Sequence, residues 1–196
     1  MSNKNPIQWV LASASKHRAK QLTQAGCQFT LDPSDVDEAP IVGEAPAKRA
    51  QRLAQAKAVE VAQRHPDSLV IGSDQVAHLS GQLLRKPGHH EAALEQLMQA
   101  SGQRVSFETA LCVIGPGQTP WVEITQTQIE FWPFDPATAN RYLKIEKPYD
   151  AAGSFYSEAM GQWLIKCHQS EDPSAIVGLP MLSLGRALRA MGILPF

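Results

Sequence analysis

The chain has 196 residues, 43% of them hydrophobic and 19% charged, with a formal net charge of -1. That length and apolar fraction suffice for a full core in one domain, which can be arranged as two lobes around a cleft. A charge so near zero excludes a general attraction for nucleic acid polymers or anionic membranes, so any cluster of cations marks a local site. In chain order, Ile7 to Leu11 reads as a first strand that runs into Ser13 and Ser15, where a helix from Lys16 to about Ala25 begins and Gly26 stops it. An Asp- and Pro-rich loop, Asp32 to Pro40, leads to a long helix from Pro46 to Arg64, with proline suited to the first turn. Asp67 to Ser73 is the next strand and Glu91 to Ala100 a helix closed by Gly102. Val105 to Ile114 and Val122 to Trp132 read as an antiparallel pair joined by the loop Gly115 to Pro120. Ala137 to Ile145 is helical, Trp163 to Cys167 a short strand, and Pro180 to Met191 a last helix ended by Gly192. The alternation predicts an α/β fold, a mixed twisted sheet flanked by helices, in a single domain spanning residues 1–196.

Cys27, Cys112 and Cys167 are odd in number, far apart, and lack CxxC or Cys/His ligand spacing, which fits a reducing compartment. No stretch approaches the roughly 20 apolar residues that span a bilayer. A cytoplasmic location is therefore expected.

Four segments carry candidate chemistry. The run Ser68-Leu69-Val70-Ile71 gives way to Gly72-Ser73-Asp74-Gln75. Ligands in open α/β sheets bind beyond the carboxyl ends of strands, so Asp74 is expected there, poised for chemistry; taken alone, a turn or cap aspartate is the plainer reading, and the other segments reverse it. Ser13, Ser15 and Arg18 sit where a strand turns into a helix, and free N–H groups, a positive dipole end and a guanidinium suit an anion, although the same residues also make a plain capped helix. No Walker loop is present. Ala50, Leu53, Ala54, Lys57, Ala58 and Val61 recur at helical spacing, which places Lys57 on the inward stripe. It either snorkels from the edge of that stripe or reaches a bound anion. Pro87 restricts the backbone at Lys86 and aims it, and a glycine-flanked loop, Ala152 to Gly161, carries one carboxylate, Glu158.

In this order the segments resemble the Maf family of nucleoside triphosphate pyrophosphatases over nearly the whole chain. The family's LAS-x-S and basic run matches Leu11 to Arg18, its VDE Val36-Asp37-Glu38, its LAxxKA Leu53 to Ala58, and its VGLP Val177 to Pro180. Its catalytic aspartate falls on Asp74 and its GKP lysine on Lys86, with Arg85 in place of the glycine. Ser73-Asp74-Gln75, Gly153-Ser154-Phe155 and Ser157-Glu158 resemble the branch that hydrolyses 7-methyl-GTP more than the branch acting on dTTP and UTP. Lys16 replaces the usual proline, and His17 stands where that branch commonly has an aromatic such as Trp.

The resemblance implies an ITPase-like cleft between two lobes and hydrolysis of 7-methyl-GTP to 7-methyl-GMP and diphosphate. The alternatives it leaves are a dTTP/UTP or broad-specificity enzyme, and a nucleotide-binding regulatory protein linked to septum formation. Arg18, Lys57 and Lys86 would hold the triphosphate. A divalent cation, Mg²⁺ or Mn²⁺, would sit on Asp74 and Glu38, since both metals favour carboxylate and water. Asp74 would act as base or as metal ligand. Glu158 and Gln75 are the candidates for the donor edge of a cationic 7-methylguanine, with His17 at the mouth. The expected partner is a small-molecule nucleotide, with no nucleic acid polymer and no membrane, and a homodimer is an assembly state open to the chain.

Overall fold

The computed structural model describes residues 7–193. A seven-stranded mixed sheet runs through the molecule: β1 (Trp9–Leu11), β2 (Thr30–Leu31), β3 (Leu69–Leu79), β4 (Gln82–Leu84), β5 (Arg104–Ile114), β6 (Trp121–Phe131) and β7 (Ile165–Ser170). The order is β2-β1-β3-β5-β6-β7, with β4 also paired to β3. β1 is parallel to β2 and β3, and the remaining pairs are antiparallel. Five helices cover the faces: α1 (Lys16–Gln24), α2 (Pro46–Arg64), α3 (His90–Ala100), α4 (Pro136–Glu146) and α5 (Met181–Ala190).

β3 is longer than its apolar run. The sequence predicts a strand that stops near Ser73, whereas the strand continues through Asp74 and Gln75 to Leu79 because β5 pairs with it residue by residue, from Val70 opposite Ile114 to His78 opposite Ser106. Cross-strand pairing outweighs the low strand propensity of a polar stretch. Asp74 therefore lies inside a strand, not beyond its end. On the other edge β3 meets β1 only at residues 69–71 and β4 only at residues 77–79. Between them, residues 72–76 face no strand.

Period-two alternation along β3 and β5 assigns the layers. Val70, Val76, Ala110 and Cys112 pack beneath Ala50, Ala54, Ala58 and Val61 of α2. The apposition is tight at Gly72, where a β-carbon would lie 2.5 Å from the Ala54 carbonyl oxygen and 2.8 Å from the Ala58 β-carbon. The opposite face carries two separate cores. One joins Leu11, Leu69, Ile71, Leu111 and Val113 to Leu22 of α1 and Leu184 and Leu188 of α5. The other joins Ala77, Phe107, Ile129 and Phe131 to Leu97 of α3 and Leu143 of α4. These are the two lobes that the sequence leads one to expect, and the unpaired part of β3 lies between them.

The remaining elements follow the sequence closely. α2 has the bounds read from it, and proline occupies its first turn. Ser80 and Gly81 take positive φ (49° and 87°) in the turn joining β3 to β4. β2 and β4, of two and three residues, carry no apolar periodicity and escape the sequence. So do three short 3-10 turns, Ala152–Ser154, Ala159–Leu164 and Pro173–Val177.

Candidate active site

A cleft of about 690 Å³ opens along the unpaired edge of β3, and all ten residues singled out in the sequence line it: Ser13, Ser15, His17, Arg18, Glu38, Lys57, Asp74, Gln75, Lys86 and Glu158. Because β3 is pleated, Asp74 points to the α2 side, whereas Ser73 and Gln75 point to the side of the 173–177 turn.

On the α2 side, Lys57 Nζ lies 2.7 Å from Asp74 Oδ1 and 2.6 Å from Glu38 Oε1. Lys57 and Asp74 are each 8% exposed. This arrangement decides the open question about Lys57: its ammonium does not snorkel to bulk water but bridges two carboxylates at the cleft. Glu38 arrives from the loop before α2, and α2 itself pins that loop. Arg49 donates to the Glu38 carbonyl at 2.6 Å, and Arg52 donates to the Ala39 carbonyl while pairing with Glu44 at 2.6 Å. Partial burial tends to raise the Glu38 carboxyl, yet the Lys57 ammonium, with Lys86 and Arg18 further off, holds it below the usual carboxylate range.

Ser15 caps α1 and accepts from the Arg18 backbone N–H. The Arg18 side chain folds back across the cap: Nη1 donates to Ser13 Oγ at 3.1 Å and Nε to the Gly178 carbonyl at 2.8 Å. Burial lowers the guanidinium pKa from its ordinary value, opposed by the charges of Asp74 and Glu38. Ser73 Oγ donates to the same Gly178 carbonyl at 2.8 Å. Gly178 takes φ 122°, a conformation that favours glycine, so the VGLP segment serves to direct one carbonyl at β3 and α1 together. Asp172, fully buried, anchors that segment by accepting from the N–H groups of Leu182 (2.7 Å) and Ser183 (3.1 Å) and from the Ser174 hydroxyl. Arg49 and Asp172 are supporting residues that no sequence motif singled out, and the Ser73-Asp74-Gln75 motif does not announce the partner of its serine, since each works through main-chain carbonyls or N–H groups that a pattern of residue types does not reveal.

On the other side, His17 at the first turn of α1 faces the 150–158 loop. Its Nδ1 lies 3.7 Å from Glu158 Oε1, and its ring stacks on Tyr156 with centroids 4.8 Å apart and a 36° tilt. Tyr156 is in turn hydrogen-bonded to Asp150, and its pKa is raised by burial and by that carboxylate. The glycine-flanked loop thus brings an aromatic ring and a carboxylate to the mouth of the cleft.

Among the described residues no group of three or more His, Cys, Asp or Glu side chains is placed to hold a metal ion. Asp74 and Glu38 each turn one oxygen to the Lys57 ammonium, which leaves each carboxylate a second oxygen as a hard donor. That donor set fits a hard cation that keeps water and takes its remaining ligands from substrate phosphates, and does not fit an all-protein cage. Cys112 is buried and its thiol is pushed up to about 12, and no disulfide links the three cysteines. Among the described residues no helix is long and apolar enough to cross a membrane.

The chain is 44% identical over 186 residues to the 7-methyl-GTP pyrophosphatase of Bordetella avium (strain 197N), covering 95% of this chain and 94% of the relative. It is 41% identical over 185 residues to the 7-methyl-GTP pyrophosphatase of Cupriavidus pinatubonensis (strain JMP 134), covering 93% and 92%. Among solved structures it is similar to a HAM1 protein from Coxiella burnetii, with 10% identity and a TM-score of 0.47 over 95% of this chain and 98% of that one. The model of the family described as Maf-like protein matches residues 8–191. With that match over nearly the whole length, and with relatives of this identity, the chain belongs to the Maf family.

Proposed function

We propose that this protein is a nucleoside triphosphate pyrophosphatase that hydrolyses 7-methyl-GTP to 7-methyl-GMP and diphosphate. The observation that carries the reading is the Lys57 ammonium held between Asp74 and Glu38 in a cleft that Arg18 and Lys86 also line. Relatives at 44% identity bear the name of that activity, and the site offers what the reaction needs.

Hydrolysis between the α and β phosphates requires water to attack the α-phosphorus while the bond to the bridging oxygen breaks and diphosphate leaves. Charge grows on the leaving group, and fixed cations stabilise it most where water is excluded. Arg18, locked by Ser13 and the Gly178 carbonyl, presents its remaining N–H groups without further ordering. Lys86 adds a second cation from the other lobe. Asp74, almost buried and oriented by Lys57, accepts the proton of the attacking water or fixes its direction. A divalent cation, Mg²⁺ or Mn²⁺, would be held by Asp74 and Glu38 together with phosphate oxygens and water, and would neutralise phosphate charge.

Glu158 supports the choice of base. N7-methylation makes guanine cationic, and a carboxylate offsets that charge while accepting hydrogen bonds, which an amide does less well. The test is a diphosphate-release screen over 7-methyl-GTP, GTP, dTTP and UTP with and without Mg²⁺ or Mn²⁺. Highest efficiency on 7-methyl-GTP is expected, and preference for a pyrimidine nucleotide would overturn the assignment.

A further inference from the structure

Of the two rings at the mouth of the cleft, Tyr156 is the one held at three points. Its backbone N–H donates to the Tyr142 hydroxyl at 2.9 Å, its own hydroxyl donates to Asp150, and the His17 imidazole covers part of its face with centroids 4.8 Å apart. The chain reaches it through Gly153 and Ser154, both at positive φ (74° and 57°), and through Phe155, which is buried edge-on against Phe131 at 5.0 Å. A ring fixed in this way has little freedom left to lose when a ligand arrives. Tyr156 is only part-buried, however, and it lines the cleft beside Glu158. The part of its face that His17 leaves uncovered is open to a ligand.

The chemistry of the ring selects which ligand. A phenol that donates to a carboxylate gains electron density, since hydrogen-bonded groups polarise one another. A tyrosine ring attracts a cation over its face, and added electron density strengthens that attraction. His17 cannot serve in the same way, because imidazole offers a smaller π face and repels a cation once it is protonated. We infer that Tyr156 is a binding residue for the base, taking the face of the cationic 7-methylguanine against its ring, with Asp150 as the positioning residue that orients and enriches the phenol. This rests on the 7-methyl-GTP reading and deepens it. Recognition by the loop is then divided: Glu158 answers the charge at the edge of the base, and Tyr156 answers it at the face. Unmethylated guanine stacks on the same ring without the charge, so the preference between the two bases reports the electrostatic part.

The experiment compares kcat/KM for 7-methyl-GTP and GTP on the wild type, Tyr156→Phe, Tyr156→Leu and the double variant His17→Trp with Tyr156→Leu. Tyr156→Leu should lower the ratio about three- to tenfold, with the heavier loss on 7-methyl-GTP. Tyr156→Phe, which keeps a ring but loses Asp150, should fall in between. An indole at position 17 stands beside the lost ring and is the best of the cation-binding faces, so the double variant should recover most of the ratio. Both substrates are measured on one sample, so a misfolded fraction cancels, and calorimetric affinities for 7-methyl-GMP and GMP give the same ratio where turnover is too low. An unaltered ratio in Tyr156→Leu, equal losses on both substrates, or a double variant no better than Tyr156→Leu would overturn the inference and leave the hydrolytic reading standing. A wild type that cleaves both nucleotides equally well would overturn the choice of base and this inference with it. A wild type that cleaves neither would overturn the hydrolytic reading itself.

Discussion

Asp74 and Gln75 are neighbours on one strand, but they point into surroundings of different kinds. The Asp74 side is made of regular elements: a 19-residue helix and a strand bring Lys57 and Asp74 together, both 8% exposed. The opposite side is made of short 3-10 turns, of the loop that carries Glu158 and of the first turn of α1, where His17 sits; the His17 and Glu158 side chains are 36% and 43% exposed. Rigid, buried scaffolding suits the phosphates, which every nucleoside triphosphate shares. Loops suit the part of the substrate that differs, since they vary without disturbing the core.

If that division is real, damage on the helix side should depress turnover of every nucleotide alike, and damage on the loop side should change only the preference among them. The largest effect is expected for Asp74→Asn, nearly isosteric but without a basic oxygen: a fall in kcat on the order of 10² or more on all substrates, with the fold kept. Near-normal turnover in the folded variant would remove Asp74 from the chemistry. Lys57→Met should lower catalytic efficiency about tenfold to a hundredfold, again on all substrates, since a charge-assisted contact is lost. Its melting temperature should fall too, because Asp74 loses its ammonium in a nearly buried site. Adding Asp74→Asn to Lys57→Met should then recover part of the stability, since it removes the nearly buried carboxylate that the first substitution leaves without its ammonium.

Glu158→Gln tests the loop side. The ratio of efficiencies on 7-methyl-GTP and GTP should fall about tenfold, near the lower end of what a charge-assisted hydrogen bond gives, because Glu158 is well exposed and screened. Equal losses on the two substrates would place Glu158 in support of the loop.

The smallest effect concerns pH. The Glu38 carboxyl is opposed by partial burial but held below its ordinary value by Lys57, so its ionised form is favoured in the folded state. A carboxylate depressed in this way stabilises above its unfolded pKa, and the contribution is lost as pH falls through the lower folded value. The difference in melting temperature between the wild type and Glu38→Gln should therefore be present at pH 7, begin to shrink as pH falls through about 4.3, the ordinary glutamate value, and vanish once Glu38 is protonated in the folded state as well. It should not exceed about 2–4 °C, since Glu38 is exposed over more than half of its side chain. A difference that grows on acidification would contradict the ion pair.

How much could be read from the sequence follows the same division. The inward stripe of α2 located Lys57 on the core face, and helical periodicity gave that helix its bounds. The extension of β3 was hidden because Ser73, Asp74, Gln75 and His78 break the apolar pattern, and the strand is sustained by β5, a partner far along the chain. The turn at Pro173–Val177 was hidden for another reason: its role is to aim carbonyl groups, and Ala175, Ile176 and Gly178 act through main-chain atoms that their side chains do not announce. Family likeness supplied the residues of the cleft, but neither the bridging position of Lys57 nor the orientation of Gln75.

The close contact at Gly72 makes the spacing between α2 and the sheet a kind of gauge for the reach of Lys57. Gly72 and Asp74 lie on the same face of β3, and Ala54, Lys57 and Ala58 on the same face of α2. A methyl group at position 72 would have to lift the helix, because the atoms it would strike are backbone and a β-carbon with no freedom to swing aside. The lysine would rise with it. A residue with no side chain, and no chemistry of its own, thereby calibrates the distance between the Lys57 ammonium and the Asp74 carboxylate, and substitutions there are expected to register in kinetics as well as in the fold.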